Sequence, residues 1–321
     1  MFTFADIFAG IGGFRIALEK LGGKCIFSCE IDKSARKVYI QNFNDIPAGD
    51  IRELELTHIP NFDILCAGFP CQPFSFSGKK LGFNDPKNGD LFFYVLKIAN
   101  KVKPKVIFLE NVKHLLNHKK GETFEIIKKS LEDLNYIVFH KVLNAKNFVL
   151  AQHRERLFIV AIRKDFEWFS NFEFPQPKKD IKVVEDILDK EDEIPDNFYF
   201  QDLKKVIYIR NDINRKIHKP YQIAYINKGR QGERIYSIKG TSITISYSSG
   251  GVFARTGGYK THRGIRKLTI NECKRLFGFP EKFSFEGVSY NRAIALLGNS
   301  VPINVVSEIG KNILEVLGIK T

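Results

Sequence analysis

The sequence predicts an α/β protein: a parallel sheet covered by helices, with a second, smaller lobe of short strands and loops. Three observations carry this expectation. In the first half of the chain, short apolar, β-branched runs alternate with amphipathic segments. A glycine-rich turn, Phe8-Ala9-Gly10-Ile11-Gly12-Gly13, sits between the first such run and the first amphipathic segment. From about Asp180 the alternation weakens, and Gly, Ser and Thr become frequent, above all in residues 229–258.

In chain order, the short apolar runs place strands at residues 3–8, 24–28, 63–67, 106–109, 137–142 and 157–162. Helices are expected at 14–21, 33–42, 91–101 and 122–134, the first ending at Gly22 as a helix C-terminus commonly does. Helical periodicity returns near Leu268, and residues 291–317 read as one or two closing helices broken at Gly298 and Pro302. There is no internal repeat. The expected organisation is a first lobe over 1–181, a smaller lobe over 182–290, and C-terminal helices over 291–321 that return to the first lobe.

With 321 residues, 44% of them hydrophobic, the chain can build one large domain or a large and a small one. No stretch reads as a membrane span, and the N-terminus lacks the basic and apolar pattern of a signal peptide, so a cytoplasmic location is expected. The five cysteines form no disulfide-like framework. Cys25-x-x-x-Cys29 lacks a second pair or a His cluster for zinc, so it reads as core and no metal is expected. The net charge of +14 favours a polyanionic partner. Fifteen Lys and Arg fall within residues 201–267 against three acidic residues, as expected of a segment that faces phosphates. The acidic run at 185–196 reads as a linker or junction.

Pro70-Cys71-Gln72 puts a thiol on a loop directly after the apolar run Leu65-Cys66-Ala67. A lone cysteine in an intracellular chain is more often buried filler than a nucleophile. Glu110, in Phe108-Leu109-Glu110-Asn111-Val112, can be an ordinary carboxylate ending a strand, and Arg154 and Arg156, in Gln152-His153-Arg154-Glu155-Arg156, can be solvated residues on one strand face. At the glycine turn, backbone can approach a ligand near a helix N-terminus, although a dinucleotide fold places a turn there too. Glu30 ends the second strand, where it can accept both hydroxyls of a ribose, and Asp50 can accept from an adenine amino group. Nothing around the turn offers charge for a pyrophosphate, so S-adenosylmethionine suits the site better than NAD.

The order Phe-x-Gly-x-Gly-Gly, Pro-Cys-Gln, Glu-Asn-Val and Gln-x-Arg-x-Arg resembles the cytosine-C5 DNA methyltransferases, and among them the branch that methylates the inner cytosine of GCGC. The resemblance runs the length of the chain. It implies a Rossmann-like, S-adenosylmethionine-dependent sheet, a smaller, mostly β and loop target-recognition domain, and double-stranded DNA in the cleft. It also implies cofactor contacts from Phe8, Gly10, Gly12, Glu30, Asp50, Pro70, Leu91 and Asn299. Cys71 would attack C6 of a flipped cytosine. Glu110, protonated when it acts and so with a raised pKa, would neutralise charge at N3. Arg154 and Arg156 would hold the base carbonyl, the surroundings of the thiol and nearby phosphate, with Asn111 ordering the strand end. Residues 229–237 resemble the loop that fills the vacated stack, with Gln231 inserting, Ser77 opposite it and Arg234 on a guanine edge; Thr244 and residues 250–259 resemble the rest of the recognition region.

Two departures stand inside this pattern. Tyr247-Ser248-Ser249 replaces an aromatic followed by glycines, which bears on the target sequence. Phe148-Val149-Leu150-Ala151 replaces Tyr-Gly-hydrophobic-Pro before Gln152, which bears on local geometry. Three rival readings are a tRNA-methylating relative, a DNA-binding descendant without activity, and an NAD-dependent oxidoreductase. The long insertion from about Asp180 to Lys267 favours DNA over tRNA, and the retained thiol and Glu110 favour catalysis. NAD chemistry explains neither Pro-Cys-Gln nor the basic block. A monomer on DNA is expected, with any cognate restriction endonuclease acting separately. The residues do not identify the base that removes the C5 proton.

Overall fold

The structure is a computed structural model describing residues 1–70, 91–165, 172–247 and 250–319. Among these, β1 (Phe2–Ile7), β2 (Gly23–Cys29), β3 (Ile64–Ala67), β4 (Val106–Val112), β5 (Tyr136–Asn144) and β6 (Glu155–Arg163) form one sheet in the order β2-β1-β3-β4-β6-β5. β1 runs parallel to β2 and β3, and β3 parallel to β4. The expectation of a parallel sheet fails at β6, which is antiparallel to β4. Residues 145–154, which join β5 to β6, are too few for the crossover that a parallel neighbour requires.

Helices α1 (Gly13–Glu19), α2 (Lys33–Phe43), α3 (Leu91–Val102) and α4 (Glu122–Asp133) cover this sheet. α2 starts where it does because Asp32 accepts from the backbone N–H groups of Ser34 and Ala35, both at 2.9 Å. Ile107 and Leu109 of β4 share a buried cluster with Val95 and Leu96 of α3 and Ile127 and Leu131 of α4. Phe108, of opposite parity on the same strand, meets Phe14 of α1 edge-on at 5.1 Å. Both faces of β4 are therefore covered, which explains its unbroken apolar run.

Packing divides the chain into two compact units, one of Met1–Leu143, Glu155–Pro175 and Val306–Thr321, the other of Asn144–Arg154 and Gln176–Val305. These limits lie elsewhere than those drawn from composition: residues 144–154, 176–181 and 291–305 count with the second unit. In the first unit, α7 (Ile303–Val316) lies so close to α1 that a Cβ on Gly310 would be 2.9 Å from the Leu21 side chain and 3.0 Å from that of Leu18.

The second unit holds β7 (Ile207–Tyr208), β8 (Gln222–Tyr225), β9 (Arg234–Ser237), β10 (Gly258–Lys260) and β11 (Ile265–Arg266), ordered β11-β10-β9-β8-β7, with α5 (Ile270–Phe277) and α6 (Tyr290–Asn299). α5 opens on a capping box, Thr269 and Glu272. Glu272 also forms a fully buried pair with Arg266 at 2.6 Å and accepts from the backbone N–H of Asp189 at 2.9 Å.

The acidic run expected to be a linker or junction is folded against basic residues. Glu185 pairs with Lys239 at 2.6 Å, Asp186 with Lys216 at 2.5 Å, Asp189 with Arg275 at 2.5 Å, and Asp196 with Arg263. Part of the basic excess is thus neutralised within the fold. Tyr290–Val316 is long and apolar enough to match a span by composition, yet it comprises α6 and α7, and 83% of its apolar window is buried inside the protein.

Asp6 of β1 is buried, and neither carboxylate oxygen has a hydrogen-bond partner among the described residues. Burial pushes this carboxyl well above the usual range, against the pull of Arg15. The native state therefore holds the proton more tightly than the unfolded chain, and the stability this contributes is lost as pH rises through the raised pKa. Asp6→Asn should stabilise the fold more at about pH 8 than at about pH 5, by on the order of 1–3 kcal/mol. Thermal unfolding at both pH values measures it, and equal effects would mean that the carboxyl does not titrate as described.

Candidate active site

The parallel strands deliver their carboxyl ends to one edge of the sheet, where ligands of such folds bind. Ile7 pairs with Cys29 in the β1–β2 register, so the glycine turn and Glu30 leave the sheet at the same level. Glu30 clamps that turn: Oε2 accepts from Gly10 N–H at 2.8 Å and Oε1 from Asp32 N–H at 2.8 Å. Burial raises the Glu30 pKa, while the two backbone donors oppose the rise. The turn is left-handed at Phe8 (φ 58°), Gly10 (φ 56°) and Gly12 (φ 85°). At Gly12 a Cβ would lie 2.3 Å from the Phe43 ring, so a larger residue cannot enter; at Gly10 the space is open.

Asp50 is engaged by a residue that sequence reasoning passed over. The Arg52 guanidinium grips both its oxygens, with Nε at 2.9 Å from each, and holds the carboxyl below its usual range. The Asp-x-Arg spacing was the available signal. Pro70 is exposed, Phe8 and Leu91 are half-buried, and Asn299 ends α6 in the second unit with its side chain exposed.

Beyond β3, Asn111 fixes the segment that leads to the expected nucleophile: its Nδ2 donates to the Phe69 carbonyl at 2.9 Å, and its Oδ1 accepts from Val112 N–H at 2.8 Å. Cys71 and Ser77 themselves lie outside the described residues. On β4 and β6 the register pairs Glu110 with Phe158 and Val112 with Arg156, making Glu110 and Arg156 diagonal neighbours on one face. They meet at 3.0 Å between Arg156 Nε and Glu110 Oε1, with side chains only 14% and 11% exposed. Burial lowers the Arg156 pKa, and Glu110 opposes that. A Cβ built on Gly68 would lie 3.7 Å from Glu110 Oε2, so the carboxyl group stands beside the backbone that precedes Cys71.

Arg154 has a position unlike the role it was expected to share with Arg156. It is buried in the second unit, donating from Nη1 to the Ile245 carbonyl at 3.1 Å and from Nη2 to the Gly298 and Ser300 carbonyls at 2.8 Å each. Its own backbone N–H donates to Asn144 Oδ1 at 3.1 Å, a partner without any sequence signal. Gly298 is needed there, because a Cβ would lie 2.7 Å from the Ser246 backbone.

In the loop over 229–237, Arg230, Gln231 and Arg234 are exposed. Arg234 Nε donates to the Gly229 carbonyl at 3.0 Å, and Glu233 Oε2 accepts from Arg230 N–H at 2.9 Å. A Cβ on Gly232 would lie 1.9 Å from the Gly250 carbonyl oxygen, and Phe253 N–H donates to the Gly232 carbonyl at 2.9 Å. The two glycine-rich loops therefore pack backbone to backbone. Thr244 donates its hydroxyl proton to the His153 carbonyl at 2.6 Å. Ser248 and Ser249 lie outside the described residues.

A Rossmann-like sheet thus carries a clamped glycine turn at one strand end and a Glu–Arg pair at another. Residues 2–315 match the family described as C-5 cytosine-specific DNA methylase. The chain is 43% identical over 317 residues to the type II methyltransferase M.HhaI of Haemophilus parahaemolyticus, covering 99% of this chain and 95% of that one. It is 41% identical over 335 residues to M.HpaII of Haemophilus parainfluenzae, covering 99% and 90%. The solved structure of the Entamoeba histolytica methyltransferase EhMeth has the same fold, with a TM-score of 0.74 at 20% identity over 99% of both chains. The chain belongs to the C-5 cytosine-specific DNA methylase family, and is a DNA cytosine-C5 methyltransferase of the type II restriction-modification kind.

The two arginines should respond differently to substitution. Arg154→Ala leaves three buried carbonyls without their donor and should cost about 3 kcal/mol or more in urea unfolding. Arg156→Lys keeps the charge but loses the planar grip on Glu110, and should lower turnover with a stability change below about 1 kcal/mol. Equal destabilisation by both would refute this division.

Proposed function

We propose that the enzyme methylates the inner cytosine of GCGC in duplex DNA, acting as a monomer, with any cognate endonuclease a separate protein. The observation that carries the chemistry is the Glu110–Arg156 pair beside the Gly68-Phe69-Pro70 strand exit. The GCGC assignment rests on the resemblance of the 229–237 loop. Transfer chemistry is assigned to residues 1–181 and 291–321 and target recognition to residues 182–290. A cytoplasmic location follows from a substrate of this kind.

Cytosine C5 is a poor nucleophile until sulfur adds at C6. The Cys71 thiolate forms that bond, the C5–C6 π pair moves into the ring, and a proton passed through Glu110 to N3 balances the charge. Arg156, on Glu110 Oε1, orients the carboxyl group and its guanidinium is at hand for the base carbonyl. S-adenosylmethionine supplies the methyl group when bound. Glu30 retains a lone pair on each oxygen for ribose hydroxyls, the space before Gly10 is open, and Phe8, Gly12, Asp50, Pro70, Leu91 and Asn299 complete the assigned cofactor contacts. Return of the N3 proton to the Glu110 carboxylate, loss of the C5 proton and breakage of the S–C6 bond restore the acid and the thiolate and release the neutral product. Reaching the base requires flipping, at roughly a few kcal/mol, with Gln231 filling the gap and Ser77 opposite it. Arg234 reads a guanine edge. Thr244 is assigned a DNA contact from the recognition segment, with its hydroxyl proton donated to the His153 carbonyl.

DNA carrying 5-fluorocytosine at the target should trap the wild type covalently, because fluorine cannot leave as a proton does, and Cys71→Ser should neither trap nor turn over. Turnover by that variant would remove the thiol from the mechanism. Bisulfite sequencing of exposed plasmid tests the target, and protection confined to cytosines outside GCGC overturns that assignment alone. S-adenosylmethionine affinity, by calorimetry, should weaken on acidification from a pH above the usual carboxylate range, as the raised Glu30 pKa requires. Glu30→Ala should abolish that dependence and cost on the order of 1–3 kcal/mol of binding; an unchanged pH profile would place the ribose elsewhere.

A further inference from the structure

We propose that β7, the outer strand of the second sheet, is a docking surface for the DNA duplex beside the target site. The sheet order ends at β7, so among the described residues one side of this strand has no neighbour in the sheet. Leu203, Ile207, Tyr208 and Ile209 are 58%, 47%, 56% and 46% exposed, four large apolar side chains within seven residues. Isolated exposed apolar residues need no explanation, whereas a run of them marks an interaction site. An apolar edge of this kind accepts either another strand or a different partner.

Charge decides between these occupants. Lys204 lies within the run and Arg210 directly after it, both exposed, the Lys260 ammonium lies 5.6 Å from the centre of the Tyr208 ring, and the Arg210 guanidinium lies 5.2 Å from that of Tyr221. Two copies joined edge to edge would bring these cations together, which is unfavourable. A duplex meets them with phosphates, and offers deoxyribose faces to the aliphatic side chains.

Register supplies the second support. Ile207 pairs with Tyr225, and Tyr225 pairs with Arg234, so the three form one row across β7, β8 and β9 on a single face. The row begins at the proposed edge and ends at the arginine assigned to base reading. A Cβ on Gly229 would lie 3.2 Å from the Tyr225 ring, so the recognition loop rests on the middle of the row. Two strand spacings, roughly 10 Å, separate Ile207 from Arg234. That is about three base-pair steps along a duplex. The inference rests on the reading that the 229–237 loop faces DNA.

The test compares binding of the full chain, by fluorescence anisotropy, to a duplex that covers only the target and to one longer by a helical turn of about 10 base pairs. The wild type should bind the longer duplex more tightly, by roughly tenfold. Ile207→Glu should shrink that ratio and Ile207→Lys should enlarge it. A folding defect would weaken both variants on both duplexes and cannot produce opposite signs. An unchanged ratio in both variants overturns the proposal, as does a homodimer in sedimentation that Ile207→Glu dissociates without altering the ratio. Mapping the sites methylated by Arg234→Ala separates the two levels: unaltered site choice removes the loop from DNA, while altered site choice with an unchanged length ratio removes only β7.

Discussion

The antiparallel register of β6 against β4 is the constraint on which the reactive centre depends. Glu110 lies opposite Phe158, so Arg156, two residues earlier on the partner strand, reaches it diagonally on the same face. A slip of one residue would turn Arg156 to the other face and leave a largely buried carboxylate without its cation. Burying both charges is costly, and the geometry of the pair offsets that cost only in this register. The same strands carry Phe108 and Phe158 into the core, so hydrophobic packing holds the alignment that the ion pair uses.

Asn111 extends this dependence to the neighbouring strand. Its amide joins the end of β4 to the Phe69 carbonyl beyond β3, while Phe69 packs on Phe92 at 5.2 Å. The backbone entering the Pro-Cys-Gln motif is thereby tied to the strand that carries Glu110. At the other end of the edge, the Glu30 carboxylate ties the glycine turn to the exit of β2. Both strand exits are held by a side chain bonding to backbone, so the chain leaves the sheet from a defined point at each.

Much of this was legible before any coordinates. The first four strands fall within a residue or so of their expected starts, because period-two apolar runs between turn residues leave little choice. The short link from β5 was visible, but that β6 lies between β4 and β5 was not, and its direction against β4 follows only from that place in the sheet. Arg154 and Arg156 illustrate a second limit. Spacing of two residues implies a shared face within a strand, but β6 begins at Glu155, so Arg154 precedes the sheet and belongs to other packing. The acidic run illustrates a third. Composition records charge but not fold-back, and its carboxylates find lysines and arginines far along the chain. The Asp50–Arg52 grip was visible as a spacing, yet nothing local marked it as more than a turn.

The backbone contact between Gly232 and Gly250 bears on how such an enzyme changes its target over generations. With 1.9 Å available where a methyl group would begin, neither loop can drift alone at that point. A lineage acquiring a new recognition sequence would have to remodel both loops within few mutational steps, or exchange them as one cassette. Substitutions at the exposed tip meet no such steric bar, while the glycine seam beneath it fixes how the two loops meet. Retargeting by recombination is therefore an easier path for this scaffold than retargeting by point mutation.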